Sequence, residues 1–181
     1  MSGPFGSSQW MYSSGDFYGF EPTGSIRFGA ETGGGYLSKT FGQAGTDWTL
    51  SAWVKRSSVD VFSPILAASS TGNPYYQSVF GFQSSGELAM YQFNNGGSKT
   101  TNVVSTAKFR DVSAWYHVVC QYDEGSNVTL YVNGEQVAQG ANGSTDRYIN
   151  KTTYPHYIGN YTYQLIKIVT GKQHDTTHLH L

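Results

Sequence analysis

The sequence predicts an all-β protein that forms an antiparallel β-sandwich, and three observations carry this prediction. Short segments alternate apolar and polar residues with a period of two, which is typical of a strand with one buried face. Turn segments rich in Gly, Ser and Asn separate them at roughly even spacing. No window shows a 3.6-residue period with helix caps. Many short strands joined by such turns indicate a sandwich or a barrel.

The clearest strand pattern lies between Ser113 and Gln139. Within residues 115–122, Tyr, Val, Cys and Tyr alternate with Trp, His, Val and Gln, so the two sets fall on opposite faces. A second alternating segment, residues 128–132, ends at Asn133-Gly134. Asn-Gly tolerates the positive φ that both central positions of a type I′ turn require. The block therefore predicts three consecutive strands, the last two joined as a hairpin.

Strand-like segments also occur on both sides of this block. The Gly33-Gly34-Gly35 turn lies between the first two of them, and Ser84-Ser85-Gly86 predicts a hairpin later in the chain. The predicted strands are Ser25–Phe28, Tyr36–Phe41, Thr49–Arg56, Ile65–Ala68, Ser78–Gln83, Glu87–Phe93, Lys99–Val104, His156–Ile158 and Gln164–Thr170.

Composition limits the partners that the chain can have. A length of 181 residues suggests one domain with short extensions. The charged share is 13%, the aromatic share is 15%, and the formal net charge is −1 with no basic run. Because nucleic acids and anionic membranes both require clustered Lys and Arg, neither is an expected partner. No apolar run is long enough to span a bilayer, and residues 1–20 lack the pattern of a secretory signal.

The chain has one cysteine, Cys120, in the middle of a predicted strand. No disulfide within the chain can form, and we expect this side chain to be a small buried hydrophobe. A catalytic thiol needs a partly exposed, electropositive setting, which this strand does not indicate.

Residues 1–22 combine a Gly- and Ser-rich composition with many aromatic side chains, and they show no regular period. A flexible linker would lack the rings. Two interpretations stay open: an arm that folds back over its own domain, or a docking arm whose rings fill pockets on another protein. The docking residues would be Phe5, Trp10, Tyr12, Phe17, Tyr18 and Phe20.

Three segments, TLSAWVKR, WYHVVCQYD and VTLYVNGEQVA, carry a family resemblance. In this order they resemble the concanavalin A-like superfamily, in its laminin-G-like and pentraxin-like branch. The resemblance covers roughly residues 24–170 and implies a jelly-roll sandwich over residues 23–170. After Ile158-Gly159-Asn160 the chain departs from the family pattern, and residues 171–181 are expected to be a separate tail.

A second resemblance rests on FGSSQWMY, SIRF and YLSKTF. These segments are similar to the start of virion proteins from tailed bacteriophages, especially those that infect marine cyanobacteria. The resemblance implies a non-enzymatic module on the virion surface, in a tail or on a capsid. It further implies that the N-terminal arm contacts other virion proteins and that the chain is a homo-oligomer in the particle.

Catalytic patterns are weak throughout the sequence. Hydrolases of the superfamily carry Glu-x-Asp-x-x-Glu on one strand, and this sequence has no such triplet. A retaining glycosidase needs two carboxylates about 5–5.5 Å apart, whereas Asp123-Glu124 falls in a predicted turn. His117 is expected to be a packed, hydrogen-bonded histidine, and no G-x-S-x-G motif occurs.

Candidate glycan-binding residues lie in predicted loops, where Tyr can stack on sugar faces and Asn can hydrogen-bond hydroxyl groups. The alternative is that these side chains pack against neighbouring subunits. The candidates are Tyr75, Tyr76, Asn94, Asn95, Tyr154 and His156.

No cofactor or resident metal is expected. The tail histidines His174, His178 and His180 with Asp175 could bind a metal, but a solvated end is the simpler interpretation. Calcium is common in the laminin-G and pentraxin families that the chain resembles, and Asp123, Asn127 and Asp146 could serve as its ligands.

The sequence therefore predicts a non-enzymatic structural protein of a phage virion surface, acting as a tail-fibre-like attachment or carbohydrate-adhesion module. A capsid decoration protein is the alternative within the virion. A polysaccharide-acting glycoside hydrolase is the competing class.

Overall fold

Two antiparallel sheets of six strands each account for the described part of the chain. The structure, a computed structural model, describes residues 25–28, 35–70, 77–94, 96–143 and 148–159, and the backbone of residues 177–180. The strands are β1 (Ile26–Phe28), β2 (Leu37–Lys39), β3 (Trp48–Arg56), β4 (Ser63–Ser69), β5 (Gln77–Phe82), β6 (Glu87–Phe93), β7 (Lys99–Lys108), β8 (Trp115–Tyr122), β9 (Asn127–Val132), β10 (Glu135–Ala141), β11 (His156–Ile158) and β12 (Thr177–His180).

The strand order is β1-β12-β3-β8-β9-β10 in sheet A and β2-β11-β4-β5-β6-β7 in sheet B. Strands β10 and β7 contact each other at one edge of the sandwich, so β1 and β2 form the opposite edge. The predicted all-β sandwich is confirmed. None of these described segments is a helix with the length and apolar character needed to cross a membrane.

The predicted Asn-Gly hairpin joins β9 to β10. Asn133 has φ 52° and Gly134 has φ 84°, so both central residues adopt the positive φ that the sequence indicates. The Asn133 side chain also accepts a hydrogen bond from the His117 amide through Oδ1, over 2.9 Å, and the Asn133 amide donates to the His117 carbonyl over 2.8 Å. The turn is thus fastened to the neighbouring strand β8.

The first two strands do not pair with each other, although the Gly33–Gly35 turn lies between them. β1 pairs with β12 in sheet A, and β2 pairs with β11 in sheet B. The connection therefore passes from one sheet to the other. A glycine run predicts a change of direction, but it does not determine which strand becomes the hydrogen-bonding neighbour.

Within the C-terminal segment, the backbone of Thr177–His180 forms β12 between β1 and β3. In this register Leu179 lies opposite the fully buried Val54, and His178 and His180 lie opposite Lys55 and Trp53. The predicted strand Gln164–Thr170 lies outside the described residues. The proposed division into arm, sandwich and tail stays a prediction.

The core lies between the two sheets. Its fully buried side chains include Val54, Val118 and Leu130 from sheet A and Phe80 and Met90 from sheet B. In β3 and β8 of sheet A these residues alternate with more exposed neighbours, as the period-two pattern predicts. Strands β5 and β6 of sheet B are instead buried at nearly every position. The core also contains the side chains of Phe28, Ala52, Ile65, Ala68, Phe82, Leu88, Val103, Tyr116, Cys120, Tyr122, Val128, Val132, Tyr148 and Ile149.

A polar contact crosses this apolar layer. Gln92 of β6 is fully buried, and its Oε1 accepts hydrogen bonds from Thr101 Oγ1 at 2.7 Å and from the Tyr122 hydroxyl at 3.3 Å. Tyr122 in turn stacks on Trp48, with ring centroids 5.3 Å apart and an interplanar angle of 7°. The contact links sheet B to sheet A through directional bonds.

Candidate functional site

The predicted glycan-binding loops converge at one end of sheet B. In the sheet register Ser69 lies opposite Gln77, and Gln77 lies opposite Phe93. The Ser69 amide donates to the carbonyl of Pro155 over 3.4 Å, which places the segment before β11 at the same end. We call this region the loop end; it carries the connections β4–β5 and β6–β7 and residues 154–156. Tyr75, Tyr76 and Asn95 lie outside the described residues.

Asn94 closes its own turn at the loop end. Its Oδ1 accepts hydrogen bonds from the amides of Gly96 at 2.9 Å and Ser98 at 3.0 Å. Its backbone amide donates to the Ser98 carbonyl at 3.0 Å. The side-chain oxygen therefore shapes the β6–β7 connection, as Asx side chains commonly do in turns. Its proposed contact with a glycan stays a prediction.

His156 is buried at the loop end. Its Nε2 accepts a hydrogen bond from the Asn150 amide at 2.8 Å, and the Phe41 ring lies 4.4 Å from its own ring. Burial lowers the pKa of His156, and the backbone of Lys39 and Tyr154 acts in the opposite direction. A neutral, packed imidazole of this kind supports the surrounding chain. Its ligand role also stays a prediction.

Tyr154 is half-buried and packs edge-on against Tyr148, with ring centroids 5.2 Å apart. On the β6–β7 side, the Lys99 ammonium lies 3.8 Å from the ring centroid of Tyr91. Burial is the main cause that raises the pKa of the Tyr91 hydroxyl, followed by the charge of Glu87. The described rings at this end are thus engaged with other groups of the same chain.

The outer face of sheet A carries a second group of aromatic side chains, which the sequence does not single out as a site. Within the sheet, Trp53 of β3 lies opposite His117 of β8, and Val119 lies opposite Tyr131 of β9. Trp115 follows on the same face of β8. All five side chains are half-buried, so part of each remains accessible to solvent. We call Trp53, Trp115, His117, Val119 and Tyr131 the aromatic face.

His117 lies near the middle of the aromatic face and is held on two sides. Its Nε2 lies 2.8 Å from the hydroxyl oxygen of Ser51, and its ring centroid lies 5.1 Å from that of Trp53. Its backbone is bonded to Asn133 at the β9–β10 turn. The expected hydrogen-bonded histidine is confirmed, and its position on the outer face follows from the alternation of β8.

Hydrogen-bonding side chains lie beside the aromatic face. One row of the sheet places Thr49, Gln121, Thr129 and Gln139 side by side. The side-chain amide of Gln139 donates through Nε2 to Thr129 Oγ1 over 3.2 Å. Elsewhere in the pairing of β9 with β10, Gln136 lies opposite Tyr131. Aromatic rings next to hydroxyl and amide groups can bind ligands that have both apolar faces and hydroxyl groups.

Catalytic and metal-binding groups do not gather in the described residues. They contain no group of three or more His, Cys, Asp and Glu side chains that could hold a metal ion, and Asp146 lies outside them. Within the same residues, no carboxylate bonds to His117 to extend its pair with Ser51. Cys120 is buried in the core, which raises the pKa of its thiol.

The alternation of residues in β3 and β8 predicts which side chains share this face, but it does not mark them as a binding site. Trp115, His117 and Val119 share one side of β8 in the sequence pattern, and Trp53 occupies the matching side of β3. The signal was the presence of two Trp residues at outward positions, where polar residues are usual. Bringing Trp53 next to His117 required the register of β3 with β8, which the sequence does not supply.

The sequence of residues 29–171 matches the concanavalin A-like lectin/glucanases superfamily. The chain belongs to this superfamily. The match covers most of the chain and includes β3 and β8 to β10, whose sequences carried the resemblance. No curated protein matches the chain in sequence at a significant level.

Solved structures with the same fold include binding domains. The binding domain of botulinum neurotoxin serotype C1 is 14% identical, with a TM-score of 0.63 over 86% of this chain and 38% of that one. A second structure comes from botulinum neurotoxin type C, and cell entry of this toxin depends on interaction with two ganglioside molecules. It is 14% identical, with a TM-score of 0.60 over 86% of this chain and 37% of that one.

A shorter relative in structure is the CBM40 of the Ruminococcus gnavus IT-sialidase, bound to α2,3-sialyllactose. It is 16% identical, with a TM-score of 0.56 over 76% of this chain and 77% of that one. At these identities the similarity establishes the fold. The chain spans well under half the length of the toxin domains and most of the length of the CBM40.

Proposed function

We propose that this chain is a non-enzymatic carbohydrate-adhesion module and that the aromatic face contacts the glycan. The observation that carries the proposal is the partly exposed pair of Trp53 and His117, whose ring centroids lie 5.1 Å apart. The Ser51 hydroxyl oxygen, 2.8 Å from Nε2 of His117, holds the imidazole in place. Rings fixed in place before binding lose little conformational freedom when a ligand arrives.

The chemistry of the face fits a sugar. Aromatic ring faces carry partial negative charge and attract the C–H groups on the apolar side of a pyranose. Thr49, Gln121 and Gln139 offer hydroxyl and amide groups to the sugar hydroxyls. A single site of this kind binds one sugar through few contacts, and display in multiple copies raises the overall affinity through avidity.

The similarity to glycan-contacting domains supports this assignment. The toxin domain described with gangliosides and the CBM40 bound to sialyllactose share the sandwich fold. Their sequences are too distant to transfer residues, so the site on this chain is argued from its own side chains. No Glu-x-Asp-x-x-Glu motif accompanies the fold in this sequence, which favours binding over hydrolysis.

We further propose that the module acts on the surface of a tailed bacteriophage virion. The support is the resemblance of FGSSQWMY, SIRF and YLSKTF to the start of such virion proteins. In this setting residues 1–22 attach the module to the particle, and the sandwich contacts host-surface glycans. A tail or fibre position is favoured over capsid decoration because attachment requires contact with the host. Labelling intact particles with an antibody to the sandwich distinguishes tail from capsid.

The glycan proposal is tested on an array with the full-length chain and three variants. We expect the W53A/W115A variant to lose at least about ten-fold in affinity, since two stacking surfaces disappear. W53F keeps a ring and should retain most of the binding. Y75A/Y76A tests the loop end, and normal binding by this variant would assign the site to the aromatic face. Each variant is first checked for an unchanged thermal unfolding profile.

Three results would contradict the proposal. Absence of glycan binding by the intact chain, displayed in multiple copies, would remove the adhesion function. Turnover of β-glucans by the purified chain would contradict its non-enzymatic assignment. Loss of binding in Y75A/Y76A with full binding in W53A/W115A would move the site to the loop end.

A further inference from the structure

The two edges of the sandwich differ in chemical character. The described residues include five exposed large hydrophobic side chains, and four of them lie in or beside β1 and β2. Ile26 is 39% exposed, Tyr36 46%, Leu37 40% and Phe41 37%. All four side chains are therefore exposed in a single copy of the chain. We call these four residues with Arg27, Ser38 and Lys39 the apolar edge.

The opposite edge, formed by β7 and β10, is polar. Its exposed side chains include Lys99, Asn102, Lys108 and Glu135, and Lys108 forms an ion pair with Glu87 at 3.3 Å. The pairings of β7 and β10 contain register shifts. Charges and bulges are the usual protection of an edge strand against pairing with other chains. The described pairings of β1 and β2 contain no such shift.

The apolar edge has a defined electrostatic character as well. Lys39 is exposed there, and β1 and β2 contain no acidic residue. The backbone of β2 pairs with β11 on one side, and within the described residues no strand pairs with it on the other. A partner for this edge therefore needs apolar side chains, negative charge and an extended backbone.

Residues 1–22 of the same sequence have this chemistry. They include Asp16 and Glu21 and contain no Lys or Arg. Their large rings are Phe5, Trp10, Tyr12, Phe17, Tyr18 and Phe20. Aromatic side chains bury about 150–250 Å² each, so six of them supply on the order of 1,000 Å², the size that a specific interface needs.

We propose that residues 1–22 of one copy bind the apolar edge of a second copy. Arm-to-edge exchange in both directions between two copies gives a closed dimer with two-fold symmetry. Fully extended, 22 residues reach about 70 Å, which is ample to cross to a neighbour. The inference rests on the assembly role proposed for the arm, with a second copy of the chain as the neighbouring protein in the particle, and it is independent of glycan binding.

The test uses full-length chains in sedimentation velocity over a range of concentrations. The edge variant is Leu37→Glu, which adds a carboxylate facing an acidic arm, and the arm variant is Trp10→Ala with Tyr12→Ala and Phe17→Ala. The control is Val112→Glu, because Val112 is 43% exposed and lies outside the apolar edge. We expect the wild type and V112E to dimerise. The dimer dissociation constant of the edge variant alone, and of the arm variant alone, should rise at least ten-fold.

Mixing the edge variant with the arm variant identifies the contact. One intact arm then meets one intact edge, so the mixture should form heterodimers that neither variant forms by itself. If edges paired directly with each other, the arm variant, whose edge is intact, would dimerise by itself, and the mixture would contain its homodimers instead of heterodimers. Monomeric wild type at all concentrations, or full dimerisation of the arm variant, would overturn the proposal. Glycan binding by monomeric variants would leave the adhesion function intact, so the two proposals fail separately.

Discussion

Nη1 of Arg56 lies 2.7 Å from the backbone carbonyl oxygen of Phe109 and joins the end of β3 to the chain between β7 and β8. Nη2 of Arg56 also donates to the carbonyls of Val59 at 3.2 Å and Gln83 at 3.4 Å. The guanidinium carbon lies 4.8 Å from the Phe82 ring centroid. Arg56 is buried, and these three backbone carbonyls accept hydrogen bonds from its charged guanidinium group.

Replacing Arg56 by Met should destabilise the fold by about 2–4 kcal/mol, because three carbonyls lose their buried donor. Met keeps the apolar volume, so the loss reports mainly on the hydrogen bonds. Urea denaturation monitored by tryptophan fluorescence measures the change. Arg110→Met is the control: Arg110 donates to the Ser85 carbonyl at 2.9 Å on the exposed surface. We expect it to cost less than about 1 kcal/mol, and equal costs for both variants would contradict the account of Arg56.

Gly134→Ala should destabilise the protein by about 1–2 kcal/mol through backbone strain alone. Gly134 has φ 84°, and a Cβ added there would meet no atom within 4 Å. Gly42 is the matched control because its Cβ would also meet open space, while its φ lies outside the positive range. Gly42→Ala should be neutral or slightly stabilising. Equal thermal unfolding temperatures for the two variants would show that the β9–β10 turn does not need positive φ.

Local patterns made most of the fold predictable. The alternation around Tyr122 and the Asn133-Gly134 turn determine strands β8 to β10 because strand faces and turn dihedrals depend on adjacent residues. Strand β12 was not predictable, since its place between β1 and β3 depends on pairing across more than a hundred residues of chain. The same limit explains why the glycine run before β2 did not reveal a change of sheet.

The candidate site was predictable only in part. The sequence indicated Asn94 and His156 by residue type, but the turn that consumes Asn94 Oδ1 and the burial of His156 are properties of the folded chain. Trp53 and His117 lie 64 residues apart in sequence, and only the register of β3 with β8 brings them together. Residue type indicates what a side chain can bind, and the tertiary contacts determine whether its polar atoms are accessible.

The Cys120 thiol should not react with a thiol reagent in the folded protein. Burial in the core between the sheets raises its pKa, so the reactive thiolate is scarce and inaccessible. Absorbance of the released thiolate after addition of an aromatic disulfide at pH 8 gives the reaction rate. After addition of denaturant, the reagent should release one equivalent of thiolate per chain, since Cys120 is the one cysteine of the sequence. Rapid reaction without denaturant would mean that β8 opens readily or that Cys120 is exposed.

His156 should make the stability of the fold depend on pH below neutrality. Burial holds its pKa below the unfolded value of about 6.5, so proton binding favours the unfolded state. The free energy of unfolding should be level above about pH 7.5 and fall as the pH drops through 6.5 towards the folded pKa. His156→Gln keeps an acceptor for the Asn150 amide but cannot titrate, and it should flatten this part of the curve.

Removing the ring of Phe41 should reduce the burial of His156 in part, and it should therefore weaken the pH dependence of stability without abolishing it. Phe41 packs 4.4 Å from His156, so Phe41→Ala admits water, raises the His156 pKa towards its ordinary value and reduces the slope. Tyr36→Ala is the control, because Tyr36 contacts Tyr157, at 5.5 Å between ring centroids. Urea denaturation at half-unit steps from pH 8 to pH 5 gives the slopes. An unchanged slope in His156→Gln would assign the pH dependence to other groups.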